Sequence, residues 1–160
     1  MTTFLIFLHV VAAILLLGPV VVSTSMFPRQ VAEAQAGGEE ATGRASVLHR
    51  ITKTYGMLSL LVPLLGGAVL AFDWDTYKSN YWFHTAIVLS VIGWAILLAM
   101  VIPQQRKMMG TIGALPPAEA DPSDVTGKFE KSKAKATAGA GIFNLLWMLV
   151  LILMFLPDPS

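Results

Sequence analysis

The chain has 160 residues, 55% hydrophobic and 13% charged, with a mean hydropathy of +0.66. Soluble domains carry roughly 25% charged residues, so the composition excludes one and points to an all-α membrane protein. A net charge of +1 gives nucleic acid no footing, and zero cysteines exclude disulfides, iron–sulfur clusters, thiolate zinc sites and thiol catalysis.

The first hydrophobic run, Phe4 to Met26, contains no Asp, Glu, Lys or Arg. As a helix it reaches ~34 Å, enough to cross a hydrocarbon core of ~30 Å. Met-Thr-Thr ahead of it carries no basic residue, and the run exceeds a signal core of ~7–15 residues, so it is expected to stay as helix 1. Pro19 removes one backbone donor and is expected to bend it. His9, Ala12, Ala13 and Leu16 share one face by helical spacing. Helix 1 is expected to end near Phe27-Pro28-Arg29.

In the first connection, 29–54, Gly37-Gly38 breaks a short extension of helix 1. Val47, Leu48 and Ile51 then recur beside Arg44, His49, Arg50 and Lys53, so helix 2 begins before its apolar part. His49 reads as a solvated interfacial residue. Along helix 2, Tyr55 to Phe72, a stripe of Gly56, Ser59, Pro63, Gly66 and Gly67 predicts a packing seam against another helix. Trp74, Tyr77, Tyr81 and Trp82 flank the short loop that follows and fit an interfacial belt.

Helix 3 runs about 81–102, with His84 in its first turn, Pro103 after it, and Arg106 and Lys107 marking the exit. The connection from Gly110 to Thr126 is rich in Pro, Ala, Glu and Asp and reads as mobile. Ser123 or Asp124 is expected to cap the basic segment that feeds helix 4, about 137–156. That helix carries Asn144 and Trp147, and the tail Pro157 to Ser160 reads as a short polar end. The prediction is a single transmembrane domain over 1–160: a four-helix bundle with spans about 4–27, 55–72, 81–102 and 137–156.

Charge sets the expected orientation. Ten of the eleven Lys and Arg residues lie in connections 29–54 and 104–136, and only Lys78 lies in the middle loop. The positive-inside rule makes both connections cytoplasmic and both termini external. Helices 1 and 3 then run parallel, and His9 and His84 lie at depths matched to about one turn, ~5 Å. Two imidazoles so placed satisfy bis-histidine haem b or a copper ion. Also open are a structural role, in which each bonds a neighbouring helix or the headgroup region, and a quinone or proton contact. No charged residue occurs within the four spans, which disfavours ion-coupled transport. No phosphate loop, Gly-x-Ser-x-Gly or His-Glu-x-x-His occurs either.

The stretch LHVVAAILLLGPVVVSTSMFPR, followed by YGMLSLLVPLLGGAVLAF, WFHTAIVLSVIGWAIL and NLLWMLVLILMFLP, resembles a bacterial family of small four-span predicted integral membrane proteins of unassigned function. More distantly it is similar to copper-resistance D-type and protoporphyrinogen-oxidase-type four-helix membrane proteins, which also open on a Leu-His. The resemblance implies a bacterial inner-membrane location and a functional His9. This chain departs from the second type in having no lysine in helix 3. The expected function is a non-enzymatic accessory or stabilising subunit of a larger inner-membrane complex, a respiratory one being a candidate. Its expected partners are the lipid bilayer and other membrane subunits or a second copy. The alternative is a haem b- or copper-binding redox protein using His9 and His84.

Overall fold

A computed structural model describes residues 1–126 and 128–156, with the side chains of Val125 and Thr126 left aside. The tail Pro157 to Ser160 lies outside the described residues, and with it the expected external C-terminus. Four helices are long and apolar enough to cross a membrane: α1 (Thr2–Gln35), α2 (Glu39–Phe72), α3 (Tyr81–Thr111) and α4 (Phe129–Phe155). A single helical turn, Trp74–Tyr77, joins α2 to α3, and a 3₁₀ turn, Pro122–Thr126, precedes α4. No strand occurs among the described residues.

Short connections make α1 and α2, and α2 and α3, antiparallel neighbours, and a longer one returns the chain to α4. Between α1 and α2 the chain reverses at Gly37, whose φ of +98° suits glycine because no Cβ obstructs it. Helix α1 packs on α2 and on α4, and α3 packs on α4 and α2, giving an up-down-up-down bundle. One end, with Thr2, Phe72, Tyr81 and Phe155, carries few charges: Asp73, Asp75 and Lys78 in its short loop. The opposite end gathers the basic connections and is the charged end.

The helices outrun the bilayer. At 34 residues each, α1 and α2 reach ~51 Å against ~30 Å of hydrocarbon. Helix 3 does not stop at Ile102: it continues through Pro103 to Thr111. Two cores are stacked along the bundle in consequence. Leu17, Val20, Val62, Leu97, Val101 and Phe143 fill the membrane-level core. Phe27, Val31, Ala45, Met108, Met109 and Phe129 fill a second core in the charged end. The latter length of bundle is amphipathic, with Arg44, Arg50 and Lys107 on its outside.

Each interior proline of α1, α2 and α3 near the membrane core is preceded by a widened or broken turn. Residues Ala13–Leu17 before Pro19, and Leu97–Val101 before Pro103, form π turns. A proline has no N–H and its ring clashes with the carbonyl four residues back, so the preceding turn opens by one residue. On α2 the break falls at Ser59 and Leu60, ahead of Pro63. There the Leu60 amide donates to the Met57 carbonyl, which releases the Gly56 carbonyl. Ser59 Oγ, at 2.8 Å, and Trp94 Nε1 of α3, at 3.1 Å, both donate to it. Lipid supplies no hydrogen bonds, so side chains satisfy the freed group.

The connection expected to be mobile folds back on the charged end. Arg106 donates to the Glu119 carbonyl at 2.6 Å and to Asp124 Oδ1 at 3.1 Å. Ala114 and Leu115 pack on the lower core. Asp124 does not cap α4: its Oδ2 accepts from the Asp121 amide instead, and Lys128, with no side-chain cap bond, precedes the helix. The guanidinium, a stronger partner than an exposed amide, has claimed the carboxylate.

Candidate functional site

His9 stands in the apolar half of α1, where the α1–α2 pair meets α3 and α4. Its Nδ1 lies 2.9 Å from the Val62 carbonyl of α2. A carbonyl only accepts, so Nδ1 carries the proton and donates, leaving Nε2 with the lone pair. Gly66 makes room for the ring: a Cβ there would sit 3.2 Å from His9 Cε1. Of the stripe Ser59, Pro63, Gly66 and Gly67, then, Gly66 is pressed against α1. Ser59 is buried in α2's own break, and Pro63 is half-buried. Nothing lies within 4 Å of a Cβ built on Gly67.

Beside His9 lies a cavity of about 360 Å³, open to the side, with Ala13, Leu17, Gly66, Ser90, Trp147 and Val150 on its walls. All four helices reach it, and its lining is almost wholly apolar. Leu17 rather than Leu16 is the buried leucine of this face. The π turn inserts a residue and moves the face on by one position.

His84 is elsewhere. Its Nδ1–H donates to the Asn80 carbonyl of its own helix at 2.9 Å, and Trp74 meets its ring edge-on at 6.5 Å between centroids. From α3 the cavity takes Ile87 and Ser90, and His84 is not among its lining residues. The two histidines share a tautomer set by a backbone carbonyl. Asn80 caps α3, accepting from the Phe83 amide at 3.2 Å.

Two polar atoms are buried without partners among the described residues: Trp147 Nε1, of a residue on the cavity wall, and Asn144 Oδ1, further along α4. Asn144 spends its amide on Ser25 Oγ at 3.0 Å, because the Ser25 hydroxyl proton goes to the Val21 carbonyl. Trp147 turns its Nε1 towards the gap left by Gly93. An orphaned buried polar atom costs about 1–3 kcal/mol.

The feature that sequence reasoning missed is a polar layer between the two cores. Ser23 Oγ and Thr52 Oγ1 lie 2.9 Å apart between α1 and α2. His49, expected at a solvated interface, is only 8% exposed. Its Nδ1 lies 3.2 Å from Gln105 Oε1 of α3, and Phe27 tilts against its ring. Burial lowers its pKa from the ordinary 6.5, opposed by the Gln105 bond and reinforced by the charge of Lys53. The signal was present in the pairing of His49 with Thr52 at helical spacing, but Arg50 and Lys53 beside them disguised it. Beyond His49, a depression of about 860 Å³ opens between α2 and the connection after α3. Lys53 bridges to Glu119 at 2.9 Å across its rim and lowers the pKa of that carboxyl.

No protein-family model, no curated protein and no solved structure matches this chain.

Proposed function

We propose that the chain is a non-enzymatic accessory subunit of a larger membrane assembly, with its charged end in the cytoplasm of a bacterial inner membrane and both termini outside. The observation that carries this reading is the bare outer half of α1. No side chain of Thr2–Ala12 is fully buried, and Leu5, Leu8 and His9, with smaller residues beside them, are half-covered by the bundle. Phe4, Phe7 and Ile14 are 64%, 60% and 67% exposed, and Ile14 stands at the laterally open His9 cavity. The row bearing Phe4 and Phe7, opposite the half-covered one, is left for a neighbouring transmembrane helix. The orientation follows from the Lys and Arg residues gathered at the charged end.

The test uses the absence of native cysteine. Single cysteines at Phe7, Ile14, Leu64 and Leu145 carry a thiol-linked photo-crosslinker in native membranes. The expected result is one discrete protein adduct from Phe7 and Ile14 and none from the other two positions. Lipid adducts alone from all four would overturn the reading.

A second reading is favoured by one observation: the Val62 carbonyl holds the His9 proton on Nδ1, as carbonyls orient metal-bound histidines, and leaves Nε2 free. His9 therefore fits as a single ligand to haem b or copper, and the likeness of helix 1 to the histidine-bearing families agrees with it. His84 does not line this cavity, so the reading rests on His9. Haem-supplemented wild type, His9→Ala, His84→Ala and His49→Ala are compared by reduced-minus-oxidised spectra and copper content. Loss in His9→Ala alone supports the reading, and a colourless, copper-free wild type removes it.

A further inference from the structure

The charged end carries a second, polar depression of about 350 Å³ between the C-terminal part of α3 and the start of α4. Arg106, Lys107, Lys128, Lys131 and Lys135 line it, against one carboxylate, Asp124. That carboxylate is already held by Arg106, at 3.1 Å. The four lysines make no ion pair among the described residues, whereas Lys133, on the same helix but outside the depression, faces Glu130 at 4.0 Å. Four like charges gathered without a counter-ion repel one another, and an anion relieves them.

Depth decides which anion. The apolar run of α4 begins at Thr137, so Lys135 stands at the hydrocarbon boundary, Lys131 ~6 Å beyond it and Lys128 ~10 Å beyond it. Headgroups extend ~5–8 Å past the hydrocarbon on each side, so Lys135 and Lys131 stand at headgroup depth and Lys128 at its outer edge, within reach of its long side chain. Directly above the depression, the outside of α4 presents Ile142, Leu145 and Leu149 to the bilayer. Phosphate oxygens among lysines, with acyl chains running up an apolar helix face, match one kind of molecule. Basic pockets between helices at this level suit phospholipid headgroups.

We infer that the depression lined by Lys107, Lys128, Lys131 and Lys135 is a binding site for an anionic phospholipid of the leaflet at the charged end. The lipid fills the α3–α4 groove and ties the two helices together where they leave the membrane. This site is independent of the His9 cavity and of any partner subunit.

The full chain is purified in a mild zwitterionic detergent, and bound lipid is read by native mass spectrometry and by the melting temperature. Probes are dioleoyl phosphatidylglycerol, dioleoyl phosphatidylcholine and inorganic phosphate. The site predicts retained phosphatidylglycerol adducts and a raised melting temperature, neither given by phosphatidylcholine or by millimolar phosphate. Lys131→Gln with Lys135→Gln should weaken phosphatidylglycerol binding about 30-fold, at the ~1 kcal/mol expected for each surface lysine. Lys107→Gln with Lys128→Gln should do the same and serves if the first pair folds poorly. Arg50→Gln with Lys133→Gln removes equal charge elsewhere and should leave binding intact. Equal losses in all three pairs would reduce the effect to general membrane electrostatics, and full competition by inorganic phosphate would make it a free-anion site. Either result overturns the assignment, as does failure to prefer phosphatidylglycerol over phosphatidylcholine.

Discussion

Gly66 and His9 form a matched pair: the missing side chain of one is the space occupied by the other. Gly66→Leu must push the imidazole off the Val62 carbonyl. Overpacking of this kind costs about 1–3 kcal/mol, read as a lowered melting temperature in detergent. In a His9→Ala background the space is vacated, and most of the loss should disappear. Purely additive effects of the two substitutions would show that the contact is unimportant. His49 gives a second expectation. Its folded pKa lies below the ordinary 6.5, so the unfolded chain takes up the proton more readily. The stability tied to neutral His49 is therefore full above pH 6.5 and is lost as pH falls through the folded value. His49→Gln, which keeps an amide near Gln105 but does not titrate, should flatten the melting-temperature profile between pH 7 and pH 5. An unchanged profile would mean that another group sets the acid limb.

At the scale of elements, the connection from Ile112 to Thr126 depends on one close approach. A Cβ on Gly110 would lie within 3 Å of three side-chain atoms of Asp124. Gly110→Ala should displace Asp124 from Arg106 and free the connection, raising limited proteolysis between residues 112 and 126 several-fold. Asp124→Asn, which shortens no side chain but removes the charge, should give a smaller increase. If the connection in Gly110→Ala is cut no faster than in the wild type, the Arg106 anchor does not hold it. The existence of four helices was legible from apolar run length alone. Their real extents were not, because Pro103 and the basic residues after it resemble a stop signal. The π turn at Leu97–Val101 absorbs the proline, and burial of Met108 and Met109 in the lower core carries α3 onward. Periodicity also placed Leu16 on the His9 face, and the π turn before Pro19 replaced it with Leu17.

Over the whole molecule, the bundle has two ends of different chemistry, and the orientation proposed above faces the charged one to the cytoplasm. Single cysteines at Ala36, Ser79 and Ser123 report this with an impermeant thiol reagent on intact cells. Labelling is expected at Ser79 alone before lysis, and at all three after it. The reverse pattern would invert the orientation and move the proposed lipid site to the other leaflet.

Sequence alone determined what depends on local chemistry and run length: an all-helical chain with four segments able to cross a bilayer. An uninterrupted apolar run leaves the backbone no way to satisfy itself in lipid except a helix. Tertiary structure decided what depends on which faces meet. It buried His49 against Gln105, set His9 beside Gly66, and kept His84 out of the cavity that His9 borders. Matched depth along two parallel helices constrains only one coordinate. The rotation of each helix, shifted here by proline-opened turns, supplies the others, and long-range packing is what sets it.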